Sequence, residues 1–168
     1  MRIFLICFIS LLGGCGYEKR VKHLSDTEFD HYYALRVFME DDARKTYLKM
    51  ETEEERNAFL KSENLWDTFY QYEPHIRELI VQGDVQVGWQ KAMVYMGWGR
   101  PYASQKIPGR QAERSVMWIY RFEVAPDGTV RVWEKSSKTA YKATRLFSRE
   151  VILDDDVVAD IQEKEGAW

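Results

Sequence analysis

The sequence is short of the groups that most often carry catalysis. Its 168 residues include only two cysteines, three histidines, four prolines and ten glycines. His23, His31 and His75 lie far apart, and no two have the i, i+4 spacing that puts two imidazoles on one helix face, so no metal is expected. Asp30 and His31 are neighbours, but adjacent residues on a helix point in different directions and make no acid–base pair. There is no Gly-x-Ser-x-Gly elbow, no phosphate-binding glycine-rich loop and no Ser-x-x-Lys sequence, which leaves the common hydrolases and nucleotide enzymes without support. No catalytic residue and no cofactor is nominated. Positive charge is not in excess either: 24 basic against 27 acidic side chains give a formal charge of −3, without the basic footprint that duplex nucleic acid requires.

What is present is apolar and aromatic, 45% hydrophobic and 14% Phe, Trp and Tyr, enough to bury the core of one ordinary domain or two small ones. The first sixteen residues form a separate unit: a cation at Arg2, an apolar run over residues 3–12 broken only by Ser10, then small residues. That layout is a secretory signal peptide. A ten-residue helix spans about 15 Å, half the hydrocarbon thickness, so it is too short for a stable membrane span.

Leu12-Gly13-Gly14-Cys15 resembles the lipobox of bacterial lipoproteins, in which the cysteine thiol receives lipid and becomes the new N-terminus. An ordinary cleaved signal would fit the small residues as well, but would leave a free exported thiol. On the lipobox reading, residues 1–14 are removed and Cys15 is the lipid attachment site. The 154 remaining residues carry a formal charge of −4, because Arg2 leaves with the signal. Cys7 leaves too, so the mature chain keeps no thiol for a disulfide, metal or nucleophile. Each buried lipid CH₂ contributes about 0.8 kcal/mol and two chains anchor stably, so the mature protein is expected on a membrane surface. Gly16 after the cysteine, by resemblance to enteric lipoproteins, implies the outer membrane, facing the periplasm.

Residues 15–24 read as a tether, net basic through Lys19, Arg20 and Lys22, lying near anionic headgroups or serving only as a soluble linker. Residues 25–83 read as helical. Ser25-Asp-Thr-Glu28 and Thr52-Glu-Glu-Glu55 have capping-box spacing. The first helix carries Phe29, Tyr32, Tyr33 and Val37 and runs or kinks through residues 40–42 towards Met50. Leu65, Trp66, Phe69, Tyr70 and Tyr72 make an aromatic stretch that ends before Pro74, and Pro74 opens a helix closed by Gly83.

Residues 84–168 read as a small α+β domain. A short helix runs from Gly88 to a stop at Gly99 and Pro101. Val116, Trp118, Tyr120 and Phe122 alternate with Met117, Ile119, Arg121 and Glu123 as in a strand with one better-buried face. Pro126-Asp127-Gly128 is a turn, with a second strand over residues 129–135 and a third within 142–153. Asp154-Asp155-Asp156 would cap a short terminal helix over residues 157–164. The expected fold class is therefore α+β: a helical N-terminal half, a short helix, a three-stranded antiparallel sheet and a short C-terminal helix.

Gly88, Val94, Gly99 and Pro101, followed by Trp118-Ile119-Tyr120, Asp127-Gly128 and Val130, resemble the BamE/SmpA/OmlA family of small outer-membrane lipoproteins over about residues 86–135. That family usually starts its domain near the lipid, whereas here about seventy residues intervene. Over the insertion, Phe38-Met39-Glu40-Asp41-Asp42, Glu53-Glu54-Glu55-Arg56, Phe59-Leu60, Gly88-Trp89 and Gly99-Arg100-Pro101 resemble the GWxTD domain of exported bacterial proteins, although Gln90 and Lys91 stand where Thr-Asp is expected. The first resemblance implies an accessory part in outer-membrane protein assembly.

The expected function is that of a lipid-anchored envelope scaffold or accessory protein with a protein partner and no catalysis. The alternative is an envelope enzyme or inhibitor with a cleft between the helical region and the sheet. Of the aromatic set Trp89, Tyr95, Trp98, Trp118, Tyr120 and Trp133, most belong in the core, and any left exposed are the partner-binding candidates. Trp89, Trp98, Trp118 and Trp133 are singled out, with Arg110 and Arg114, which share a loop with Lys106 and could meet an anionic partner or headgroup.

Overall fold

The computed structural model describes residues 20–133 and 143–166. The signal peptide, Cys15, the first part of the tether and the segment after Trp133 that the sequence assigns to the end of the second strand lie outside the described residues. The chain builds α1 (Asp26–Leu35), a 3-10 turn (Arg36–Phe38), α2 (Asp41–Tyr47), α3 (Glu53–Ser62), α4 (Trp66–Tyr70), α5 (Pro74–Gln82) and α6 (Lys91–Trp98). Five strands follow: β1 (Ala103–Lys106), β2 (Ser115–Val124), β3 (Val130–Val132), β4 (Arg145–Asp154) and β5 (Val157–Glu165).

Local chemistry sets the helix starts. At α1 the Ser25 N–H donates to Glu28 Oε2 at 2.7 Å while the Glu28 N–H donates to Ser25 Oγ at 3.3 Å. Thr52 and Glu55 repeat the box at α3 with both distances at 3.2 Å. Each box satisfies donors that the first helical turn leaves without a backbone partner. Extended backbone at Met39 separates α1 and its 3-10 turn from α2, so the first helical stretch breaks instead of running through. Pro74 occupies the first turn of α5, and Gly83 closes that helix at φ +70° and ψ +26°, the left-handed geometry glycine adopts most readily. Before α1, Val21 and Leu24 rest against the core.

All strand pairings are antiparallel. β2, β4 and β5 form a meander, while β1 and β3 lie end to end along the other edge of β2. The sheet thus has five strands, not three. The segment 157–164, expected as a helix, is β5. Asp155 and Asp156 take φ +48° and +67°, the two positive values of a tight hairpin turn, and do not cap a helix. A bulge explains the misleading pattern: Leu153 pairs with Val158 and Ile152 with Asp160, leaving Ala159 as an extra residue. It moves the next inward position from 160 to 161, so Val158 and Ile161 stand three apart in sequence, as on a helix.

One continuous core joins the helices to the sheet. It contains Leu35, Tyr47, Leu60, Ile80, Met96 and Trp98 from the helices, and Tyr120, Phe147, Val151 and Leu153 from the sheet. The helical region and the C-terminal region therefore share their apolar interior. The polar tips of buried aromatics are matched: Trp98 Nε1 donates to the Gly83 carbonyl at 2.7 Å and Tyr120 Oη to the Gly99 carbonyl at 3.0 Å. Below α1 a buried ion pair joins Arg56 to Glu28 at 2.5 Å, with side-chain exposures of 8% and 7%.

Candidate functional site

Where the end of α1 meets the edge of the sheet, a cleft of about 500 Å³ opens to solvent. Its walls come from three stretches of chain: Arg36, Met39, Glu40 and Arg44 on one side, Arg100, Pro101 and Tyr102 on the next, and Trp133 on the last. Arg36 begins the 3-10 turn, with its guanidinium 4.1 Å from the centre of the Tyr33 ring and donating to the Tyr33 carbonyl. Arg44 sits on α2 and pairs with Asp41. Arg100 follows Gly99, whose φ of +77° with ψ of −156° is open to glycine and few other residues. Gly99 turns the chain out of α6, and Pro101 keeps the helix from resuming.

Tyr102 and Trp133 meet the same edge of β2, just beyond the ends of β1 and β3. The Tyr102 N–H donates to the Ile119 carbonyl and the Trp133 N–H to the Arg121 carbonyl, both at 2.8 Å. Their ring centres are 5.7 Å apart, and the Arg121 guanidinium lies 3.4 Å from the centre of the Tyr102 ring. The cleft therefore has one aromatic wall, stiffened by a cation–π contact, and three guanidinium groups against one lining carboxylate, Glu40. Arg36 and Arg100 form no ion pair among the described residues. Arg36 is shared with a second hollow of about 470 Å³, lined also by Asp84, Arg131 and Arg149.

Guanidinium forks recognise oxyanions through paired N–H donors, and arginine and aromatic side chains are the types enriched in the energetic centres of interfaces. Attracting and orienting an anionic partner is what this arrangement can do.

The sequence-nominated residues fare unequally. Trp89, Trp98 and Trp118 are 6%, 2% and 4% exposed and belong to the core, with Trp118 stacked on Tyr95 at 4.6 Å. Trp133 is half-buried and lines the cleft. Arg110 grips Asp154 with two donors at 2.8 and 2.7 Å, which helps hold that carboxyl below its ordinary range. The Arg114 N–H donates to Asp155 Oδ1 at 2.9 Å and its guanidinium pairs with Asp156. Both arginines thus fasten the loop before β2 to the β4–β5 turn. Arg36, Arg44, Arg100 and Tyr102 were not singled out by sequence, since no linear spacing links positions 36, 44 and 100.

Elsewhere, His31 is 1% exposed inside an aromatic box whose Trp66, Phe69 and Tyr70 rings lie 5.3, 5.8 and 5.4 Å away. Its Nε2 shares a hydrogen bond of 2.6 Å with the Tyr70 hydroxyl, while Nδ1 is buried without a partner. Burial first and the Arg77 charge second hold its pKa below 6.5, against the pull of Glu28. Among the described residues no group of three or more His, Cys, Asp or Glu side chains is placed to hold a metal ion. No protein-family model, no curated protein and no solved structure significantly matches this chain.

Proposed function

We propose that this protein is a lipid-anchored lipoprotein of the bacterial cell envelope that works by recognition, as a non-catalytic scaffold or accessory protein. Cys15 carries the anchor, and the helix–sheet cleft receives the partner. One observation carries the recognition half: Arg36, Arg44 and Arg100 converge with Tyr102 and Trp133 from separate stretches of chain onto one hollow. That combination pairs long-range attraction with an apolar surface on which a partner can be desolvated. The lipobox-like Leu12-Gly13-Gly14-Cys15 supports the anchor.

Service to outer-membrane protein assembly is the finer form of the proposal. Its support is the order of elements the BamE/SmpA/OmlA resemblance implies: a helix ending at Gly99 before Pro101, a strand carrying Trp118 and Tyr120, a turn at Gly128 and a strand at Val130. Fold likeness alone assigns no function, so the partner has to be captured. Intact mass and membrane fractionation of the wild type beside Cys15→Ser test the anchor. Lipid mass on Cys15, with loss of membrane retention in the variant, is the expected result. An unlipidated, soluble wild-type product sinks it.

A further inference from the structure

We infer that the ligand of the cleft is an acidic polypeptide segment whose carboxylates meet Arg36, Arg44 and Arg100 while an apolar or aromatic side chain lies against Tyr102 and Trp133. The inference rests on the recognition role proposed above and names its ligand.

Charge comes first. The whole chain is acidic, at −3, yet this hollow collects three guanidinium groups against Glu40. The net charge gives an anionic chain no general attraction to the protein, so a local concentration of cations orients the encounter. Among the described residues Arg36 and Arg100 have no carboxylate to give up before binding, and Arg44 has only the exposed Asp41, 77% accessible. A carboxylate arriving at the first two therefore displaces no carboxylate, and at Arg36 it joins the Tyr33 carbonyl that the guanidinium already meets.

The walls then separate a peptide from a compact anion. Dense phosphates are usually cradled by successive backbone N–H groups or a helix N-terminus. Here two of the adjoining helix ends are C-terminal, α1 with its 3-10 turn ending at Phe38 and α6 at Trp98, and the N-terminus there, that of the short α2, already carries Asp41 and Asp42 in its first turn. The two carbonyl ends carry partial negative charge and oppose a single concentrated anion. Cations carried by long side chains from three segments suit carboxylates spaced along a chain, each met by its own fork. Pro101, Tyr102 and Trp133 supply apolar surface that a free inorganic anion would leave unused. At about 500 Å³ the hollow lies within the range of sites that enclose a ligand of several groups.

The test uses the full lipidated chain in neutral detergent micelles. Three probes are titrated separately by calorimetry: an octaglutamate peptide ending in one tryptophan, inorganic phosphate, and phosphatidylglycerol doped into the micelles. The peptide should bind saturably and weaken as salt rises. Arg100→Gln alters an exposed side chain without an ion pair and should weaken binding roughly fivefold to tenfold, whereas Lys45→Gln on the outer face of α2 should change it less than twofold. Arg36→Gln should act like Arg100→Gln, with circular dichroism verifying its fold. Phosphate or phosphatidylglycerol binding with the same Arg100 dependence, without peptide binding, would overturn the polypeptide assignment in favour of a phosphate group or headgroup. Peptide binding indifferent to Arg100 and Arg36 would overturn the site. Lipid on Cys15, read by mass on the same sample, is independent of the cleft, so failure of the anchor and failure of the ligand assignment are told apart.

Discussion

Arg56→Ala is the perturbation whose consequence can be worked out most fully. Arg56 Nη1 lies 2.5 Å from Glu28 Oε1 and Nη2 donates to the Met50 carbonyl at 2.5 Å, with both charged side chains almost out of water. Glu28 also caps α1 through Ser25, so truncating Arg56 strands a carboxylate that the helix start still holds in place. Breaking a buried pair from one side costs about 3–5 kcal/mol. We expect the lower end, about 3 kcal/mol, because Ser25 still donates to the carboxylate; for a chain of this size that lowers Tm by about 6–12 °C. The pH dependence is sharper than the magnitude. Burial alone would raise the Glu28 carboxyl, but Ser25 and then Arg56 outweigh it and hold the folded value below 4.5. The wild type therefore keeps this stabilisation above pH 4.5 and loses it as pH falls through the folded value. Without Arg56 the burial effect gains weight and the carboxyl moves up, so the variant's deficit should shrink between pH 7 and pH 4.5. Urea denaturation at both pH values measures it. A deficit below 1 kcal/mol at pH 7, or one equally large at pH 4.5, refutes the reasoning.

Two further substitutions probe other parts of the fold. His31 has a folded pKa below 6.5, so the unfolded chain binds the proton more readily and wild-type stability, full above pH 6.5, falls as pH drops below it. His31→Phe should remove that loss, gaining on the wild type from pH 7 to pH 5 in urea midpoints; a constant difference across that range contradicts the neutral, buried imidazole. A Cβ at Gly97 would stand 3.3 Å from both the Ile80 carbonyl oxygen and Val85 Cγ2, where α5 and α6 approach. Gly97→Ala should therefore cost about 1 kcal/mol net of its helix-propensity gain, and a more stable variant would show that the helices are not so close.

Much of the fold was legible because its signals are local. Both capping boxes formed as spaced, Pro74 and Gly83 bound their helix, and the alternation over 116–122 put Trp118, Tyr120 and Phe122 inward. β5 escaped because one bulged residue, Ala159, turned a period of two into an apparent period of three. β1 escaped because Ala-Ser-Gln-Lys carries no alternation and three of its four residues are exposed. The site was hardest to read. Which tryptophan stays near the surface depends on what covers it: Trp118 and Trp133 both lie on or beside strands, but Tyr95 of α6 stacks on the first. By sequence Arg110 and Arg114 are loop cations that could meet an anionic partner, whereas the β4–β5 turn brings them carboxylates from more than forty positions away. The same long-range folding gathers Arg36, Arg44 and Arg100 into one hollow, which no spacing along the chain announces.

The most direct test of the central claim, an anchored protein that recognises its partner through this cleft, is photo-crosslinking from the full-length chain in its own membranes. The reporter amino acid stands at position 40, exposed on the cleft wall and not one of its three arginines, or, as a control, at position 162 on β5. A discrete protein adduct is predicted from position 40 that is lost when Arg36→Gln is added, absent from position 162, and displaced by the acidic peptide. An adduct from position 162 with none from position 40, or a position-40 adduct indifferent to Arg36, would contradict the claim.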